Sequence, residues 1–310
     1  MPTDPASTTT SSFVAISGAT GLIGSALAAR LRARNVRVRR LVRTAQPQSP
    51  DDIVWDPMRG VLTPSDLEGA DAVVHLAGEP LAHRWTDARK RAIRESRVRG
   101  TELVARTIAV LDHRPRVLLS GSAIGIYGDR GDEPVDEASA LGSGFLAGVT
   151  REWEAASVAA ADAGVRVVLL RTGIVLSPNG GALERLLLPF RLGVGGPIGS
   201  GRQWMSWISL EDHVRAMEHA LATTGMHGAV NLVSPNPVTN AEFAATLGRV
   251  LSRPALVPAP AFALELVYGE MARATILAGQ RVLPKMLLRA GFHFAHPTLE
   301  QALRYELEPR

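Results

Sequence analysis

Three glycines spaced three apart, Gly18, Gly21 and Gly24, carry the most specific chemistry in this chain. They follow a short apolar run, Phe13-Val-Ala-Ile16, and precede Leu22 to Arg34, where Ile23, Leu27 and Leu31 recur at helical spacing. A glycine turn between strand and helix is how a fold receives a pyrophosphate. Gly18 permits the tight turn, Gly21 lets phosphates approach the backbone at the positive helix end, and Gly24 allows helix and strand to pack closely. Dinucleotide binding is therefore expected, with Thr20, Leu22 and Ile23 in the same contact set.

The end of the next strand bears on which dinucleotide. A site for NAD usually places Asp or Glu ~20 residues past the glycines to hold the ribose 2′-hydroxyl. Val42 stands there instead, with Arg43 after it and Arg39 and Arg40 just before. A 2′-phosphate would meet a bidentate cation and no repelling carboxylate, so NADP is the expected cofactor and NAD the alternative. His293 and His296 have no third ligand at metal spacing, so no metal is expected.

These residues need elements to hold them, and 310 residues are ample for a full core. Apolar residues make up 46% and charged ones 21%, which argues against a disordered, collagenous or coiled-coil chain. With no cysteine, disulfide scaffolds, thiolate catalysis and iron–sulfur sites are excluded, and a cytoplasmic location is expected. The net charge of +4 reflects a bias within the 34 basic residues, of which only Lys90 and Lys285 are lysines. Thirty acidic residues spread along the chain nearly balance them, so no nucleic-acid partner is expected. No apolar run approaches the ~20 residues of a membrane span, so no membrane partner is expected either. Residues 1–12 are rich in Ser and Thr and read as a disordered tail.

From Phe13 onward strand-like and helix-like segments alternate. Strands are expected at Val36–Val42, Asp71–Leu76, Arg116–Ser120, Val165–Leu170 and Val230–Leu232. Helices are expected at Thr86–Leu111, broken near Gly100, and at Leu146–Ala163, Leu183–Leu192 and Glu211–Ala222. Such alternation predicts an α/β doubly wound parallel sheet, which binds ligands at the carboxyl ends of its strands. Leu192 to Gly201 holds five glycines and a proline and reads as a binding loop. Past Asn240 the chain turns mostly helical. The expected organisation is a dinucleotide-binding domain over 13–235 and a small helical C-terminal domain over 236–310, covering the cleft.

Gly18-Ala-Thr-Gly21-Leu-Ile-Gly24, Asp71-Ala-Val-Val-His-Leu-Ala-Gly78 and Ser120-Gly-Ser-Ala-Ile-Gly-Ile-Tyr-Gly128 resemble the extended short-chain dehydrogenase superfamily, the NAD(P)-dependent epimerase/dehydratase group with its Rossmann-like fold. Gly78-Glu-Pro-Leu, Arg84-Trp85, Arg171-Thr-Gly-Ile-Val-Leu176, Gly195 to Gln203, Asp212, Asn231 and Gly279-Gln-Arg-Val-Leu-Pro284 narrow the likeness to its "epimerase family protein" branch. That branch ends in a small C-terminal domain of unknown function, which Pro254 to Leu303 resembles. The resemblance implies that Leu76, Ala77 and Gly78 line the cofactor, that Glu79 sits near its ribose, and that Thr172 and Ile174 lie at the nicotinamide end. Ser122 matches the catalytic hydroxyl, and His75 would support the cofactor loop. Arg202 would clasp an anionic substrate group, and Trp204 would stack on a substrate ring or fill the crevice wall. A homodimer through Thr86–Leu111 and Leu146–Ala163 is also implied.

One departure concerns catalysis. Superfamily enzymes pair the hydroxyl with Tyr-x-x-x-Lys, so that the ammonium lowers the tyrosine's pKa for proton transfer. Here the matching stretch is Phe145-Leu-Ala-Gly-Val149, and phenylalanine carries no proton. Tyr127, Glu79 and Asp129 are the nearest replacements, and Tyr127 joins Ser122 as a catalytic candidate. Two functions stay open: an NADP-dependent oxidoreductase or epimerase acting on a small-molecule substrate, and a non-catalytic dinucleotide sensor.

Overall fold

The structure is a computed structural model that describes residues 12–43 and 49–308, so all of the expected tail except Ser12 lies outside the described residues. Strand β1 (Phe13–Ser17) is buried along its whole length, and the chain turns at Gly18 into helix α1 (Leu22–Ala33). Then follow β2 (Arg37–Val42), β3 (Asp52–Val54), a single helical turn α2 (Pro64–Leu67), β4 (Ala70–His75), α3 (Asp87–Ala109) and β5 (Val117–Ala123). A 3₁₀ turn at Ile124–Tyr127 leads to β6 (Pro134–Val135), α4 (Phe145–Ala155), α5 (Val158–Asp162), β7 (Arg166–Thr172), β8 (Ile174–Leu176) and α6 (Gly181–Arg191). The remainder is β9 (Trp204–Met205), β10 (Trp207–Ser209), α7 (Leu210–Ala222), β11 (Gly228–Leu232), β12 (Val238–Thr239), α8 (Asn240–Leu251), α9 (Ala261–Tyr268), β13 (Arg281–Val282), α10 (Lys285–Arg289) and α11 (Leu299–Leu307).

The central sheet runs β11-β7-β5-β4-β1-β2-β3, with every neighbouring pair parallel. Alternate residues of each strand feed opposite faces. Val14, Ile16, Val117 and Leu119 pack with Leu27 and Leu31 of α1 and with Val214 and Met217 of α7. Phe13, Ala15, Val73 and Leu118 pack with Val104 and Ile108 of α3 and Ala160 of α5. This is the Rossmann-like doubly wound sheet. Its strand order reverses between β1 and β4, which opens a crevice beyond their carboxyl ends.

Two expected helices differ in detail. Helix α3 runs unbroken past Gly100, because that glycine serves side-chain packing: a Cβ there would lie 3.3 Å from the His75 ring. The Leu146–Ala163 segment is two helices, parted at Ala156 and Ser157, where the serine hydroxyl donates back to the Glu154 carbonyl (2.7 Å).

Beyond Asn240, α8 and α11 share an apolar cluster with α6, and β12 and β13 pair with β9 and β6. Buried Asp212 of α7 fastens the later segment, its carboxylate accepting the backbone N–H groups of Ala295 and His296 (2.8 Å each). His296 stacks on Tyr305 with ring centroids 4.0 Å apart. Among the described residues no helix is long and apolar enough to cross a membrane.

Candidate functional site

A cleft of about 420 Å³ lies at the reversal of strand order. The turn Gly18 to Gly21 walls one side, Leu41, Val42 and Arg43 with Asp52, Trp55 and Pro57 another, and Leu76 to Glu79 the third. Each glycine of the turn has its own reason to be there. Gly18 adopts φ +69°, and a Cβ would sit 2.9 Å from the Leu76 carbonyl carbon. A Cβ on Gly24 would lie 2.3 Å from the Gly18 carbonyl oxygen. Gly21 differs: its φ is −79°, and the nearest protein atom to a Cβ would be the Gly18 oxygen at 3.4 Å. The fold itself tolerates a side chain there, so only a ligand at the head of α1 needs that space. Helix α1 starts with no side-chain cap and no acidic residue in its first turn, which leaves its N–H groups for an anion. These features fit a pyrophosphate.

The opposite wall is braced by a buried serine. Ser17 Oγ accepts the backbone N–H groups of Leu76 (3.1 Å) and Ala77 (3.3 Å), so its own proton goes to His75 Nδ1, 2.7 Å away. His75 and Ser17 thus brace the Leu76–Ala77 backbone together. Next along, Glu79 N–H donates to Ser96 Oγ (3.1 Å) and the Glu79 carbonyl accepts from Arg97 (3.0 Å). Burial lowers Arg97 to about 10, with the Glu79 charge opposing. The Glu79 carboxylate itself pairs with Arg89 (2.9 Å).

Burial holds His75 and His213 neutral, lowering them to about 4 and about 3 from an ordinary 6.5. The unfolded chain takes up both protons near pH 6.5 while the folded chain does not. Their contribution to stability is therefore complete above about pH 6.5 and is lost as the pH falls toward 4, on the order of 3 kcal/mol per histidine. Denaturant unfolding at pH 7 and pH 4 measures this, and equal stabilities would contradict it.

The three arginines near the end of β2 part ways. Arg39 lies over the Phe13 ring and donates to the Asp66 carbonyl (2.7 Å), away from the cleft. Arg40 lines the cleft but is held in a two-point ion pair by Asp52 (2.7 and 2.9 Å). Arg43 lines it too, is exposed, and meets no carboxylate among the described residues.

The remaining site residues do not line this cleft. Thr172 donates to the Leu170 carbonyl (3.2 Å) and lies 3.1 Å from His213 Nε2, while Ile174 packs into the α6 cluster. Leu22 packs toward Gly180, and Ile23 toward the sheet. Ser122 is buried at the end of β5, its hydroxyl donating to Glu154 Oε1 (2.6 Å). That carboxylate accepts two bonds from Arg171 (2.8 and 2.9 Å), which also donates to the Tyr127 hydroxyl (2.9 Å). Tyr127 in turn donates to Asn231 Oδ1 (2.8 Å), and Asn231 reaches the Leu283 carbonyl (3.0 Å). Tyr127 is wholly buried, and burial raises its pKa against the pull of Arg171. In this structure its hydroxyl is engaged by Arg171 and Asn231, and Tyr127 does not line the cleft.

Asp129 accepts the N–H groups of Gly131 (3.2 Å) and Gly279 (3.3 Å), which is a turn-holding role. Phe145 packs against Trp85 (centroids 5.1 Å apart) beneath the Lys90 ammonium. Arg202 is exposed with no side-chain partner among the described residues, and Trp204 donates its indole N–H to Asp132 (2.8 Å) under the Arg281 guanidinium. Sequence reasoning missed Arg40–Asp52 and Ser122–Glu154–Arg171, because each depends on strand or helix neighbours distant along the chain.

Comparison with known proteins agrees with this geometry. A family model described as the NAD dependent epimerase/dehydratase family matches residues 14–232, and one described as a domain of unknown function (DUF1731) matches residues 259–306. The chain is 47% identical over 293 residues to the epimerase family protein Mb2239 of Mycobacterium bovis, covering 94% of this chain and 96% of the relative. It is 40% identical over 299 residues to the Arabidopsis thaliana protein described as epimerase family protein SDR39U1 homolog, chloroplastic, covering 94% and 85%. The crystal structure of human epimerase family protein SDR39U1 (isoform 2) with NADPH superposes with a TM-score of 0.86 at 36% identity, covering 94% of this chain and 98% of that one.

Proposed function

Since this chain belongs to the NAD dependent epimerase/dehydratase family, we propose that it binds NADP(H) in the cleft at the head of α1 and works as an oxidoreductase or epimerase-like protein on a small substrate. The observation that carries the reading is Gly21, a glycine the fold does not require, facing a cleft that ends at Arg43, which meets no carboxylate among the described residues. The NADPH in the human relative's structure supports the same cofactor. In this reading Gly18, Thr20 and Gly21 receive the pyrophosphate and Arg43 the 2′-phosphate. Arg40, neutralised by Asp52, shapes the adenosine end with Trp55. Leu76, Ala77, Gly78 and Glu79 line the far wall toward the nicotinamide, with Thr172 and Ile174 beyond them. When bound, the cofactor supplies or accepts hydride.

Ser122 is the hydroxyl nearest to the role the family expects. With its proton given to Glu154, its oxygen remains free to accept a hydrogen bond from a substrate hydroxyl. A second reading, a dinucleotide sensor without turnover, draws on a specific observation: Ser122 and Tyr127 are both tied into a buried network, and Phe145 occupies the place of the acid.

The cofactor assignment is tested by Arg43→Ala. Removing one charge-assisted contact to the 2′-phosphate is expected to lower the preference for NADPH over NADH by about tenfold. Paired calorimetric titrations with the two nucleotides read the ratio, and an unchanged ratio would overturn the assignment.

A further inference from the structure

Helices α3 and α4 meet along one seam. Ile93, Arg97 and Thr101 recur every four residues on α3, as Phe145, Val149 and Trp153 do on α4, so each set shares a helix face. Ile93 and Val149 share an apolar cluster with Phe145. One turn further on, the Arg97 guanidinium lies over the Trp153 ring, 5.2 Å from its centroid, and the Trp153 indole N–H donates to Thr101 (2.9 Å). Arg97 is thus the cation of a seam whose Phe145 and Val149 stand at the tyrosine and lysine places of the superfamily motif.

Other cations of α3 in this region are neutralised, Arg89 by Glu79, Lys90 by Glu270 and Arg94 by Glu152. Arg97 differs. Among the described residues it contacts no carboxylate, and its Nη1 donates instead to the carbonyls of Glu79 (3.0 Å) and Ile93 (3.1 Å). Its head also lies against Gly78, where a Cβ would stand 3.4 Å from Cζ and 3.5 Å from Nη2. Gly78 and Glu79 both line the cleft. Carbonyl dipoles and an indole face stabilise a guanidinium without cancelling its charge. With the Glu79 carboxylate spent on Arg89, this wall of the cleft carries one net positive charge.

That charge acts differently on the two redox forms of a nicotinamide nucleotide. The oxidised ring is a cation and the reduced ring is neutral, while the adenosine and phosphates are common to both. A cation in the wall therefore repels one form only. For unit charges about 10 Å apart at an effective dielectric constant of about 20, the repulsion is worth roughly tenfold in affinity.

We propose that Arg97 makes the cleft selective for the reduced nucleotide, NADPH over NADP+. This deepens the proposed function and rests on its cofactor reading.

The test is paired calorimetric titration of the full chain with NADPH and NADP+, for the parent, Arg97→Met and Arg97→Lys. Methionine keeps an apolar stem over Trp153 and removes the charge, whereas lysine keeps the charge and loses the fork. The parent is expected to bind NADPH about tenfold more tightly than NADP+, with the ratio falling close to one in the methionine variant and largely kept by lysine. A merely structural loss weakens both forms alike and leaves the ratio unchanged. Arg43→Ala supplies that comparison, because the 2′-phosphate belongs to both forms. Should the methionine variant not fold, the parent and the lysine variant decide. Equal affinities in the parent, a ratio that survives Arg97→Met, or one that Arg97→Lys abolishes would overturn the proposal and leave the cofactor reading intact. Binding of neither form by the parent would overturn both.

Discussion

Gly21→Ala is expected to fold as stably as the parent chain and to lose about a hundredfold in NADPH affinity, about 3 kcal/mol. The backbone at Gly21 is extended, with φ −79° and ψ 170°, which alanine adopts without strain, and its methyl group would meet protein only at 3.4 Å. The same methyl would stand where the phosphates must approach the first turn of α1. Gly24→Ala makes the contrast, because its Cβ would be driven to 2.3 Å from the Gly18 oxygen and stability would fall together with binding. Fluorescence titration with NADPH beside thermal unfolding separates the two variants. An alanine at 21 that binds NADPH normally would place the pyrophosphate elsewhere.

The second large effect is on stability. Glu154→Ala removes the carboxylate that neutralises Arg171, whose side chain is only 6% exposed, and is expected to cost about 3–5 kcal/mol. Burial works against the Arg171 cation, and hydrogen bonds and charge from Glu154, with Tyr127, raise its pKa against that cost. A guanidinium does not give up its proton in a protein, so without Glu154 a buried cation is left with the Tyr127 hydroxyl alone. Replacing both charges, as in Glu154→Leu with Arg171→Met, should recover much of the loss, since no buried charge is then left alone. Urea unfolding of the parent, the single variant and the double variant measures this. A single variant within 1 kcal/mol of the parent would mean that the network contributes little, and that Ser122 is positioned by something else.

What could be read from the chain alone was local. The glycine turn, the run before it and the helix after it form one continuous stretch from Phe13 to Ala33 and specify one another, so strand, turn and helix come out where composition and periodicity place them. The parallel sheet followed from the alternation. β3 escaped because three residues with a single buried position carry no periodic signal. Gly100 misled because a glycine inside a helical pattern resembles a breaker until the His75 ring beneath it is known. The members of the polar network were visible and their meeting was not: Ser122, Tyr127, Arg171 and Asn231 stand in recognisable motifs, whereas Glu154, which joins Ser122 to Arg171, looks like an ordinary charge. Only the register of β5 against β7, which sets Ser122 beside Arg171, and the packing of α4 over them make the pair.

In the proposed function the cleft at the head of α1 holds a nicotinamide dinucleotide phosphate. Calorimetric titration of the parent chain with NADPH and then NADH addresses this directly. One saturable NADPH site per chain, tighter than NADH, is the predicted result. Saturable binding of neither nucleotide would contradict it and would leave Gly21 and Arg43 without the ligand their geometry fits.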